Sequence, residues 1–217
     1  MEQNKASVDT LKDIKQMMER SSRFISLSGW SGISAGVCAL IGAWFAHKAM
    51  SLNRRSIVVD GGNDSRTYDS AAINSSLGTT LIVIAILTFI AAFITAFIFT
   101  YIRSRKNNTP IWSHASRRLM INVVIPMIVG GIFLFRLIQF NYFGLIAPGC
   151  LIFYGLALLN GSKYTLSEIR YLGYCELILG LLSCWFIGYG LLFWAIGFGL
   201  MHIIYGTMMW YNYERKG

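Results

Sequence analysis

Charge is scarce in this chain, and acidic charge is scarcer still. Only 13% of the 217 residues are charged, with ten Asp and Glu set against nineteen Lys and Arg. So little charge over so long a chain excludes an ordinary soluble domain. Cysteine is sparse too: Cys38, Cys150, Cys175 and Cys184 contain no CxxC pair, which leaves neither a disulfide framework nor a zinc site. Buried, small apolar side chains are their expected role, with Cys175 and Cys184 on opposite sides of one helix. HExxH, GxSxG, a phosphate-binding loop, an aspartate dyad and a histidine pair spaced for haem or two metals are all missing. The histidines, His47, His114 and His202, fall in three separate segments. No catalysis, cofactor or metal is therefore expected.

Hydrophobic residues make up 55% of the chain and fall in blocks of about 20, the length that crosses a bilayer. The blocks lack the period-two alternation of a barrel strand, so the expected fold is all-α, a polytopic transmembrane helix bundle. Six spans are expected at 22–46, 77–102, 118–138, 141–160, 169–189 and 190–211, with a short tail over 212–217. Ahead of them, Val8, Leu11, Ile14 and Met18 recur at helical spacing among charged residues. Residues 1–21 thus read as an amphipathic juxtamembrane helix, lying on headgroups or loops, or docking a cytoplasmic partner.

The net charge of +9 does not point to nucleic acid, because the basic residues gather at the ends of the apolar blocks. Fourteen of them lie on the side that also carries both termini. The segment 103–118 alone holds Arg103, Arg105, Lys106, Arg117 and Arg118 without an acid. Positive loops stay in the cytoplasm, so both termini are expected inside. The one sizeable segment outside is 47–76, where Ile57-Val58-Val59 and Ser65-Arg66-Thr67-Tyr68 read as two short strands around Asp60-Gly61-Gly62-Asn63.

The stretch that organises the chain is Ser22-Arg23-Phe24-Ile25-Ser26-Leu27-Ser28-Gly29-Trp30-Ser31-Gly32-Ile33-Ser34-Ala35-Gly36. Ser28, Gly32 and Gly36 recur every four residues, and Ser31, Ala35, Ala39 and Ala43 do the same beside them. One face of this helix therefore carries almost no side chain. Lipid gains nothing from such a face, but a second helix gains close backbone contact, within the chain or in a homo-oligomer. Pro126 and Pro148 are expected to kink the third and fourth spans. Glycines at seven-residue spacing (Gly173 and Gly180, Gly190 and Gly197, Gly199 and Gly206) fit shallow left-handed packing of the last two.

Three ionisable residues fall inside spans and are candidates for function: Arg136, Glu176 and His202. Arg136 is close enough to the outer end of its span to snorkel to the headgroups. Glu176 lies about 10 Å and His202 about 13 Å from the cytoplasmic face, on helices joined by almost no linker. The two are expected to meet, with Tyr154 and Tyr205 at comparable depth. The ion pair favours charge and burial opposes it, so such a site is sensitive to pH or ligand. The plainer alternatives are a carboxyl held by a hydroxyl, the backbone or Arg170, and a satisfied core histidine.

The run from Ser22 to Gly32 resembles the opening of a group of short bacterial six-span integral membrane proteins. That resemblance implies a bacterial inner-membrane setting and carries no activity or site residue. The expected function is non-enzymatic, through helix or partner contacts, as a sensor, regulator or assembly factor. A small-solute or proton-coupled transporter or channel subunit, with an inward-facing pocket around Glu176 and His202, is the alternative. The expected partners are the lipid bilayer and, through the small-residue faces, a protein or a second copy.

Overall fold

A computed structural model describes residues 28–59, 70–107, 112–166 and 168–215, with side chains for all of these except 54–59 and 70–75. Among the described residues there are helices and no strands. Helix α1 spans Gly29–Val59, α2 Ser70–Lys106, α3 His114–Gln139, α4 Ile146–Gly161 and α5 Glu168–Trp185. The last helix, over 190–214, is composite: α6 (Gly190–Trp194), a π-helical segment (Ala195–Met201), α7 (His202–Met209) and a second π segment (Trp210–Glu214). Five stretches are long and apolar enough to cross a membrane: Gly29–Asn53, Ser76–Lys106, His114–Gln139, Phe143–Tyr164 and Ile187–Glu214. Helix α5 is 18 residues long and carries Glu168, Arg170 and Glu176.

The amphipathic segment 1–21 lies outside the described residues, as does 65–68. Ile57-Val58-Val59, expected as a strand, is instead the end of α1. Extending an existing helix adds one hydrogen bond per residue fixed, whereas a lone hairpin of two short strands is marginal in water.

Helix α1 stands between two others. On one side Cys38 and Gly42 meet Thr95 and Thr88 of α2; a Cβ on Gly42 would strike the Thr88 side chain. On the other side its small-residue face meets the last helix backbone to backbone. A Cβ on Gly32 would lie 3.0 Å from the Gly206 Cα and 3.3 Å from the His202 carbonyl, and one on Gly36 would lie 2.6 Å from the Gly199 carbonyl. Ser28, Ser31, Gly36, Ala39 and Ala43 are buried, and Gly32 and Ala35 are half-buried. Trp30 leaves this face and lies between Phe99 of α2 and Trp210, with ring centroids 6.5 and 6.3 Å away.

A second glycine contact joins α4 to α5: Cβ atoms on Gly155 and Gly173 would each sit about 3 Å from the other's carbonyl oxygen (2.9 and 3.1 Å). Helix α3 packs on the outside of α4, where Phe153 fills the space above Gly130. Helices α2 and α3 are thus the flanks, each largely exposed along its apolar length. Phe89, Phe93 and Phe97 stack along the outward side of α2.

The two prolines behave differently. Pro148 falls in the first turn of α4, where its missing N–H breaks no helical bond and gives no cause for the expected kink. Pro126 is interior to α3 and leaves the carbonyl four residues earlier, that of Asn122, without its helical donor. The side-chain amide of Asn160 on α4 donates to that oxygen at 2.9 Å. The cysteines are all free, and none is fully buried as expected: Cys38, Cys150 and Cys184 are half-buried and Cys175 is exposed. It lies on the face of α5 turned away from Glu176, where lipid is a sufficient partner for a thiol.

Asn160→Leu is expected to lower stability by about 1–3 kcal/mol, because it strands the Asn122 carbonyl. Pro126→Ala in the same chain restores the intrahelical donor and should recover much of that loss. Thermal unfolding of the two single variants and the double variant in detergent measures the coupling; strictly additive effects would contradict it.

Candidate functional site

Where α4, α5 and the last helix meet, three chemically active side chains converge. Glu176 sits on the α5 face that also carries Leu172, Gly173, Gly180 and Ser183, all buried at helical spacing. It is fully buried, at 0% exposure. Room for its carboxyl is made by Gly197 of the last helix: a Cβ there would come within 2.5 Å of both Glu176 Oε2 and Leu151 Cδ2.

His202 is placed by the first π segment. The imidazole Nδ1 lies 3.0 Å from the Gly197 carbonyl, five residues back, and 3.5 Å from Glu176 Oε1. A carbonyl only accepts, so Nδ1 carries a proton and donates to it. In the neutral ring Nε2 is then the acceptor, and it receives the Tyr154 hydroxyl at 2.8 Å. The rings of Tyr154, Phe198 and His202 pack against one another at centroid distances of 5.1, 5.4 and 6.0 Å, and Trp194 extends the group to 5.3 Å from Phe198.

The structure therefore brings Glu176, His202 and Tyr154 into direct contact. Tyr205, one turn beyond His202, is close but not bonded: its hydroxyl is buried without a hydrogen-bond partner. The same is true of both Glu176 oxygens and of the Ser183 hydroxyl. Each buried polar atom left unpaired opposes folding by about 1–3 kcal/mol, so a group of them marks a place held for something other than stability. π segments are themselves frequent at functional sites. Arg136 takes no part: it is at the far end of α3, bonded to Gln139 and lying 4.9 Å over the Phe140 ring.

A second polar centre escaped the sequence reading. Glu214 Oε1 accepts from the Ser28 hydroxyl at 3.1 Å, from the Gly29 backbone N–H at 2.6 Å, and from Arg103 of α2. Beside it Tyr213 donates to Glu168, at the start of α5, at 2.5 Å. One carboxylate thus ties the start of α1, the end of α2 and the end of the last helix. It also places negative charge at the α1 N-terminus, where free N–H groups and the helix dipole favour it. The available signal was thin: Glu214 is the sole acid after Glu176, next to Arg215 and Lys216. Its partners are 111 and more residues away.

No family model, curated protein or solved structure matches this chain.

Glu214→Ala is expected to destabilise the protein by about 1–3 kcal/mol and to raise amide exchange in the first turns of α1. Glu214→Gln keeps an acceptor oxygen and should lie between the two. Hydrogen exchange read by mass spectrometry over residues 28–36 checks this; unchanged protection in Glu214→Ala would contradict it.

Proposed function

We propose that this protein is a non-enzymatic, six-span membrane protein of a bacterial inner membrane that acts through helix and partner contacts, as a sensor, regulator or assembly factor. The observation that carries this reading is the complete burial of Glu176 in a close-packed interface. A carrier or channel subunit built around Glu176 and His202 needs a water-filled route to the carboxyl. Here Leu151 and Gly197 close against it, and aromatic rings line the neighbouring space.

The sixth span is α5. At 18 residues it is about 27 Å long, close to the hydrocarbon thickness, and its deep charge is turned inward against the last helix. An even number of spans leaves both termini on one side, and the excess of Lys and Arg there supports the cytoplasm. Arg103 and Glu214, joined in the structure, are consistent with the ends of α2 and of the last helix sharing that side. The resemblance of Ser22–Gly32 to short bacterial inner-membrane proteins supports the same setting.

The small-residue face of α1 is occupied by the last helix, so a protein partner or second copy would use other surfaces. The outward sides of α2 and α3, little used within the bundle, and the segment 1–21 are the surfaces left for that role.

Reconstitution of the full chain into dye-loaded vesicles tests the reading. Proton and small-cation permeability is expected to equal that of protein-free vesicles under a gradient of either direction. Flux that appears with the wild type and disappears with Glu176→Gln would overturn it in favour of transport.

A further inference from the structure

The contact role leaves unused a line of protonatable groups that runs from the basic end of the bundle to Glu176. It starts at the surface, where Tyr213 donates to Glu168. Next comes the Tyr205 hydroxyl, buried and without a hydrogen bond, on the last helix between Tyr213 and His202 and one turn from the latter. Tyr154 is bonded to His202 Nε2, and His202 Nδ1 faces Glu176 Oε1. Beyond Glu176 the line stops. The next polar group on that face of α5 is Ser183, about 10 Å further along the axis, with its hydroxyl also unpartnered.

We propose that Glu176 is a proton-binding site in contact with one face of the membrane only, the basic one, through Tyr205, Tyr154 and His202. The ligand is the proton itself, and the close packing of Leu151 and Gly197 around the carboxyl leaves no space for a hydrated ion. A proton taken from water at Glu168 and Tyr213 passes to the Tyr205 oxygen as Tyr205 releases its own to Tyr154. Tyr154 in turn gives its proton to His202 Nε2, and the imidazole releases the Nδ1 proton to Glu176 Oε1. One proton enters and one is bound. Each hydroxyl regains what it lost, and the imidazole is left as its other tautomer until the ring returns by the reverse path.

Three links are not hydrogen-bonded, the one on each side of Tyr205 and the one from His202 to Glu176, and all of them involve the last helix. The Tyr205 hydroxyl has no partner, and His202 Nδ1 is 3.5 Å from the carboxyl while bonded to Gly197. A small rotation of this helix at its π segment would close or open them together, so the relay is gated by the same helix that grips α1. The titratable groups facing Glu176 are Tyr154 from α4 and His202 from the last helix, with Tyr205 a turn away. Its own helix adds Glu168 and Arg170 toward the basic end. Helix α1 presents Gly32, Gly36 and Leu40 to the last helix, none of them titratable.

The inference does not depend on finding a partner. Infrared difference spectra of the full chain in lipid vesicles, recorded after a pH jump on one face at a time, test it. Side-specific cysteine labelling supplies the orientation. The wild type is expected to show a protonated-carboxyl C=O band that is lost in Glu176→Gln and that responds fast only to the basic face. Tyr205→Phe removes a hydroxyl that makes no hydrogen bond, so it should unfold at the wild-type temperature or above. Its carboxyl band should nevertheless appear about tenfold or more slowly. A band that survives Glu176→Gln, equal access from both faces, or wild-type kinetics in Tyr205→Phe would each overturn the proposal. If Glu176→Gln does not fold, the Tyr205→Phe kinetics decide alone.

Discussion

Backbone contact between α1 and the last helix, with Gly32 on Gly206 and Gly36 on Gly199, limits where every other element can stand. In lipid there is no hydrophobic gain from bringing two apolar helices together, so association depends on packing and on polar contacts. Removing side chains from both facing stripes lets van der Waals contact run along the two backbones themselves. A single added methyl at Gly206 would fall 2.6 Å from the Gly29 carbonyl and the Ile33 nitrogen. The pair stands between α2 on one side and the α4–α5 hairpin on the other.

That arrangement explains why polar groups gather where they do. The last helix is held by glycines on the α1 side, and its opposite side turns Gly197 and His202 toward α5. The π segment Ala195–Met201 leaves the Gly197 carbonyl available to an imidazole. Glu176 enters the space that Gly197 vacates. At the basic end, Glu214 closes the same pair from below by gripping the α1 N-terminus and Arg103. Small residues, a π segment and a terminal carboxylate thus serve one contact.

Much of this was legible in the residues. The spacing of Ser28, Gly32 and Gly36 identified a close-contact face, and the similar depths of Glu176 and His202 on adjoining antiparallel helices put them within reach of each other. What was hidden has physical reasons. The π segments leave no composition signature, because they change a hydrogen-bond register rather than a periodicity long enough to count. Glu214 pairs across almost the whole chain, and distance in sequence conceals such partners. Pro126 looked like Pro148, yet one is interior to its helix and the other lies in a first turn. Residues 57–59 have strand-forming side chains, but they continue a helix already formed, and local preference yields to propagation.

Solid-state NMR on the protein labelled with ¹³C at glycine, in bilayers, addresses the α1 contact without altering a residue. Cross-peaks between the Cα atoms of Gly32 and Gly206, and between Gly36 and Gly199, are expected at short mixing times. They should persist when labelled chains are diluted into unlabelled ones. Peaks that are absent, or that vanish on dilution because the glycine face meets a second copy instead, would contradict the account.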